Sequence, residues 1–534
     1  MRLEHTNWAK NHVGSTDTGL LRSLSVILFI CAILVTDPIH PISQASANGD
    51  FNRGTKLSNS KATDDRNDVA DILIIAAQQE RRPATEKEGL PRDQKMAAAT
   101  SAFARGELAF SRLQYRDAAN HFLQAAEYYP SDAHTEKIKA LDFAGRAFYK
   151  VADFQLAENA LKQAFTTAEA HLDNSDPLTA RVLNNLAWLY QDTNRMEQAE
   201  PLMVRVVSIF KKSYGDDHPN VATALNNLAM LYQATNRMAK AEPLMVRTLA
   251  IDEKAFGAEH PDVARDLNNL AMLYQATNRM VQAEPLMMRA LAIDEKAFGA
   301  DHPKIAIRLN NLAMLYQATN RMAQAEPLMV RVVSIFKKSY SDNHPNVATA
   351  LNNLAQLYQA TNRMAQAEPL MVHALTIDEK LYGTEHPDVA RDLNNLAMLY
   401  QATNRMAKAE PLMVRALTID EKAYGAEHPN VARDLNNLAA LYQNTNRMAK
   451  AEPLMVRVIA ISEKAYGEDH PSVATALNNL ADLYQATNRR AQAEPLFVRA
   501  VGIYTASLGA EHPSTLTATR NLDILRQEMA KRGD

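Results

Sequence analysis

The string Leu-Asn-Asn-Leu-Ala begins at Leu183 and returns at Leu225, Leu267, Leu309, Leu351, Leu393, Leu435 and Leu477, a strict 42-residue period. Self-similarity at that length, with helical patterning inside each copy, predicts an all-α solenoid. Each unit of a solenoid contacts only its neighbours, so the array presents a long binding surface rather than a chemical pocket.

One unit, Pro219 to His260, shows the plan. Proline suits the first helical position, where the N–H it lacks would have no partner. Val221, Leu225, Leu228 and Tyr232 then fall on one helical face. Thr235-Asn236-Arg237 interrupts the pattern, and asparagine tolerates the left-handed backbone of a tight turn. Met238, Ala241, Met245 and Leu249 carry a second apolar stripe, which Phe256-Gly257 ends. The spacing predicts a first helix of roughly 15 residues, about 22 Å long, packed antiparallel to the second through a short turn. Pro243 lies inside the second helix, where it removes one backbone hydrogen bond. It recurs at Pro201, Pro285, Pro327, Pro369, Pro411, Pro453 and Pro495, so it belongs to the shape of the unit.

Leu228-Ala229, Tyr232 and Ala241 stand at the spacing of the tetratricopeptide repeat. The unit length, the Asn-Asn-Leu-Ala and Ala-Glu-Pro-Leu strings and the His-Pro boundary resemble the long repeats of kinesin light chains and of bacterial proteins carrying that repeat type. The resemblance covers residues 176–534. It implies a right-handed superhelical solenoid of antiparallel helix pairs, with first-helix faces lining a concave groove. No segment resembling a motor-binding coiled coil precedes the repeats.

Eight units are expected over residues 176–511. Two weaker ones, with Leu108-Ala109, Tyr115 and Ala118 in the first and Ala144-Gly145, Phe148 and Ala157 in the second, read as an N-terminal cap over 96–175. Residues 512–534 read as a capping helix, in which Asp523 takes the place of a small alanine.

By the same resemblance the groove holds a ladder of asparagines, Asn185, Asn227, Asn269, Asn311, Asn353, Asn395, Asn437 and Asn479, beside Gln191, Gln233, Gln275, Gln317 and their equivalents. Amides both donate and accept, so such a ladder can hold an extended peptide by its backbone. The competing reading ties one asparagine of each pair to the neighbouring unit, because buried amides need partners. The residue after Leu-Ala changes while its surroundings barely do: Trp188, Met230, Met272, Met314, Gln356, Met398, Ala440 and Asp482. A variable position on a constant scaffold is expected where ligand specificity resides, and methionine is an adaptable contact. Arg265, Arg391 and Arg433 sit at the groove edge, either to meet carboxylates or to pair with Asp266, Asp392 and Asp434 next door. A lysine-based clamp for carboxylate termini is not expected, since Asn226 and its equivalents occupy the required position.

The first residues differ in kind. Ser23–Thr36 is an uncharged apolar run with Arg22, Lys10 and Arg2 before it and Ala45-Ser46-Ala47 after it, the layout of a secretory signal peptide. Export to the periplasm or cell envelope is therefore expected. The competing reading is an uncleaved membrane tether through residues 23–36, although a spanning helix needs roughly 20 residues. If translation starts after this run, the chain is a cytoplasmic adaptor. Residues 48–95 are polar and read as a flexible linker, with a short helix at 69–79. The single cysteine, Cys31, lies in the apolar run, so the rest of the chain has no thiol chemistry.

A formal charge of -3 argues against a general nucleic-acid binder, which would carry a basic stripe. His218, His260, His302, His344, His386, His428, His470 and His512 invite a metal reading. Each lies one unit from the next, roughly 10 Å at helix-packing distances, whereas metal ligands must all sit about 2 Å from one ion. A helix-boundary role beside proline accounts for all eight. The expectation is a non-enzymatic scaffold or adaptor with a protein or peptide partner and no cofactor. The alternative is a repeat protein that associates with itself.

Overall fold

The computed structural model describes residues 90–532. The expected leader, most of the polar linker and the helix at 69–79 lie outside the described residues. Within the described residues, 90–317 and 321–532 form one compact unit.

Twenty-one α-helices follow one another, and no strand occurs among the described residues. Unit one pairs α1 (Arg92–Ser111) with α2 (Tyr115–Tyr128). Unit two pairs α3 (His134–Lys150) with α4 (Phe154–His171), and unit three pairs α5 (Pro177–Asp192) with α6 (Met196–Tyr214). The pattern continues through α7 (Pro219–Ala234) with α8 (Met238–Phe256) and α9 (Pro261–Ala276) with α10 (Met280–Phe298). It reaches α15 (Pro387–Ala402) with α16 (Met406–Tyr424), then α17 (Pro429–Asn444), and ends on the unpaired α21 (Pro513–Arg532).

The local chemistry recurs from unit to unit. His218 caps α7, its Nδ1 accepting the Asn220 amide at 3.1 Å. That nitrogen therefore carries no proton, and the ring is neutral. The same ring stacks on Tyr214, with centroids 4.4 Å apart. After α7 the chain turns at Asn236, whose φ of 55° is left-handed. Gly257 ends α8 at φ 86°, a conformation that needs a residue without a β-carbon.

Arg237, Arg279 and their equivalents do more than complete the turn. The guanidinium of Arg279 donates to both oxygens of Glu242 in the preceding unit, at 2.9 Å each. Its Nε reaches Thr277 Oγ1 at 2.9 Å, and the group lies 4.2 Å from the Tyr274 ring centre. The Thr-Asn-Arg and Ala-Glu-Pro strings are thus two halves of one bidentate staple.

Alanines at the helix crossings let the pairs close. Ala229 and Ala241 are fully buried in one cluster with Met245, Leu270 and Leu273. In unit two Gly145 stands at the Ala229 position, where an added β-carbon would lie 2.6 Å from Leu161. Unit one corrects the expected register. Tyr115 is the first residue of α2 rather than the aromatic of a first helix, and Leu108 is exposed. Gly106, packed against Phe122, takes the small position. The glycine, being smaller than the alanine expected there, hid the alignment.

Two kinds of seam between units recur. Phe210 and Phe336 pack in apolar clusters with Ala224 and Ala350, the residues beside Thr223 and Thr349 in the next first helix. Where aspartate replaces the phenylalanine, the facing pair becomes Arg-Asp. Arg265 then bonds Asp252 at 2.8 Å and Asp266 at 2.9 Å, with both carboxylates buried. Arg391 joins Asp378 and Asp392 in the same way, and Arg433 joins Asp420 and Asp434. One seam is permuted: Ile307 stands where arginine would be, and Arg308, in the aspartate position, meets Asp294 at 2.8 Å. Burial, and then the charge of Asp266, push the Asp252 carboxyl up to about 8, against the pull of Arg265. One arginine thus serves two buried carboxyl groups, and a proton held on Asp252 spares the seam a second buried charge.

Candidate functional site

The asparagine ladder is a seam. Asn227 Nδ2 donates to Asn184 Oδ1 at 2.8 Å, Asn269 to Asn226 at 2.9 Å, Asn311 to Asn268 at 3.0 Å, Asn353 to Asn310 at 2.8 Å and Asn479 to Asn436 at 2.8 Å. Asn185 makes the same reach to Asp142 at 2.7 Å. These six second asparagines, expected in the groove, therefore each spend one N–H on the preceding unit. Asn395 and Asn437 belong to a stretch where the pattern shifts. There Asn352 and Asn394 turn forward to Asp392 and Asp434, at 2.8 and 2.6 Å, leaving the Asn437 Nδ2 buried without a partner.

Four of the first asparagines engage the variable residues. Asn226 Nδ2 lies 3.6 Å from the Met230 sulfur, Asn268 3.5 Å from Met272 and Asn310 3.4 Å from Met314, while Asn478 meets Asp482 Oδ2 at 3.2 Å. Met230, Met272, Met314 and Met398 are half-buried, as are Gln233, Gln275 and Gln317. Trp188 and Ala440 of the same row are buried. The Trp188 N–H is buried with no hydrogen-bond partner. Half-exposed methionine and glutamine thus flank a buried amide seam.

Arg265, Arg391 and Arg433 are committed to the acidic seams. Besides the contacts above, Arg265 and Arg391 each bond the first-turn aspartate, Asp262 at 3.1 Å and Asp388 at 2.6 Å. The pairing with the adjacent aspartate is present at all three arginines; its second partner, from the preceding unit, was not legible because it depends on how units stack.

Helix α21 buries Leu522 and Leu525 and exposes Leu516 and Asp523. On the second helices one position stays exposed throughout: Val204, Val246, Met288, Val330, Val372, Val414, Val456 and Val498. No helix among the described residues is long and apolar enough to cross a membrane.

The sequence profile of the tetratricopeptide repeat matches this chain in eight overlapping stretches, from residues 138–212 to residues 435–506. The chain belongs to the tetratricopeptide-repeat family. Among solved structures this tetratricopeptide-repeat chain is similar to the nearly identical repeats of a putative kinesin light chain from Podosopora anserina. The two share 29% identity over 38% of this chain and 97% of that one, at a TM-score of 0.34. It is also similar to BtubC from P. vanneervenii, at 24% identity over 44% of this chain and 93% of that one, TM-score 0.37. A Rap protein complexed with competence and sporulation factor aligns with 74% of this chain and 99% of its own, at 13% identity and TM-score 0.39. No curated protein matches it. The repeats are tetratricopeptide repeats of the kinesin-light-chain kind, stacked as an all-α solenoid.

Proposed function

We propose that this chain is a non-enzymatic scaffold that holds an extended peptide or protein segment along its first-helix faces. The observation that carries the reading is the row from Trp188 to Asp482: its residues change from unit to unit while the amide seam beneath them repeats. Side chains that vary on a fixed, rigid support are what selective recognition requires, and half-buried methionines can follow partners of different shape. The seam supports the site rather than forming it, so the contacts are assigned to the methionine and glutamine rows. Residues 1–47 are read as an export signal, placing the scaffold at the cell envelope.

The test is selection of a displayed random-peptide library on the full chain and on a variant with Met230→Lys, Met272→Lys and Met314→Lys. Peptides enriched by the wild type and not by a variant of equal helicity support the reading. Equal enrichment by both overturns it. A second reading, self-association, is favoured by the exposed row from Val204 to Val498; a mass that stays monomeric across concentration in sedimentation equilibrium rules it out.

A further inference from the structure

The histidines that cap the first helices from unit four onward share the same local bond but not the same surroundings. The His260 side chain is 33% exposed and that of His386 10%, while His428 is buried. The cover comes from far away in sequence. His428 Nδ1 accepts the Asn430 amide, so Nε2 carries the proton, and it donates to the Asp192 carbonyl at 2.8 Å across 236 residues. Phe154 stacks on Tyr424, with centroids 5.1 Å apart and planes 23° apart. The Tyr149 hydroxyl donates to the Asp192 carboxylate, and the charges of Asp388 and Asp192 bear on the Lys150 ammonium. Tyr115 lies near enough to Tyr382 to act on its hydroxyl.

These contacts have one geometry. The turns between paired helices in units one to three run along the boundaries that open units eight and nine. The N-terminal units are built for it. Their second helices begin with Tyr115 and Phe154, where later units have methionine at Met196, Met238 and Met280. Their turns hold Leu113 at φ 62° and Ala152 at φ 56°, the two left-handed residues among the described ones that are neither asparagine nor glycine.

We propose that these turns form a releasable clasp, so that the array exchanges between a closed form, with the first units held on the later boundaries, and an open form without that contact. Opening is feasible because the contact centres on Tyr149, Lys150, Asp192 and His428, polar groups that water can satisfy. Parting two neighbouring units would instead expose an apolar core. The clasp goes beyond the scaffold reading and does not depend on it; a partner that favours one form shifts the exchange by its difference in affinity.

The test compares Phe154→Ala and Tyr424→Ala with Tyr214→Ala. Both tyrosine changes delete the same stack on the unit's own histidine, but only Tyr424 touches the clasp. Small-angle scattering should show a larger radius of gyration for Phe154→Ala and Tyr424→Ala, with unchanged helicity by circular dichroism and no expansion in Tyr214→Ala. Wild-type scattering from the first two, or equal expansion in the third, overturns the proposal. Thiol crosslinking gives a second readout that tolerates a poorly folding variant. A Phe154→Cys, Tyr424→Cys variant in a Cys31→Ser background should be joined intramolecularly by a short bis-maleimide crosslinker, and without crosslinker its thiols should be labelled under native conditions. Failure to crosslink removes the contact, and thiols protected until global unfolding make it permanent rather than releasable.

Discussion

Asn269 donates its side-chain N–H to Asn226 Oδ1, one unit back, at 2.9 Å, and both residues are buried. The bond joins two first helices whose sequences are nearly the same, and it recurs in four consecutive units from Asn227 to Asn353. Asn269→Ala should therefore act on stability, leaving a buried carbonyl oxygen unpaired at a cost of about 1–3 kcal/mol. Urea unfolding measures this directly. An unchanged midpoint with lost peptide binding would return Asn269 to the groove.

The two seam types predict a rescue. Arg265→Ala strands Asp252 and Asp266 in the interior and should destabilise by about 3–5 kcal/mol. The triple change Asp252→Phe, Arg265→Thr, Asp266→Ala copies the apolar seam at Phe210, Thr223 and Ala224 and should unfold close to wild type. A triple variant no more stable than Arg265→Ala would mean that the seams are not interchangeable modules.

Stability should fall as pH rises through the neutral range. Burial and the neighbouring aspartate raise the carboxyls of Asp252 to about 8, Asp378 to about 9 and Asp420 to about 8, against 3.8 unfolded. Between those values the folded chain holds more protons than the unfolded one, so this contribution is complete below 3.8 and is lost on the way to pH 8–9. Thermal melts should show the loss, and the Asp252→Asn, Asp378→Asn, Asp420→Asn variant should lose that slope. Parallel pH profiles for the two proteins would refute the raised titration of these carboxyl groups.

The histidine caps oppose this at the acid end. Burial lowers His344, His428 and His470 to about 4, from 6.5. The unfolded chain then binds more protons between those values, so stability is full above pH 6.5 and drains as pH falls to 4. Replacing His428 with asparagine, a capping residue that does not titrate, should shrink the acid loss seen by thermal melts; an identical acid limb would show that His428 does not contribute.

Much of the local plan was legible in the sequence. Pro219, Asn236 and Gly257 each mark a backbone position that few other residues occupy, so the helix ends could be read from them. The role of the amides was less legible. An asparagine that feeds a peptide and one that feeds the next unit look alike in one dimension, and only the 2.9 Å approach of Asn269 to Asn226 separates them. The staple between Arg279 and Glu242 was hidden because its halves lie 37 residues apart and each also fits a local role.

The repeat, the helix pairs and their caps follow from the order of residues alone, because they depend on contacts within a few residues and on backbone preferences carried by single side chains. Only the tertiary structure decided which polar groups are spent holding units together and which remain at the surface. It alone brought Asp192 to His428 and Phe154 to Tyr424. Such contacts follow from how small rotations between identical units add up, and no residue in a single unit records that sum.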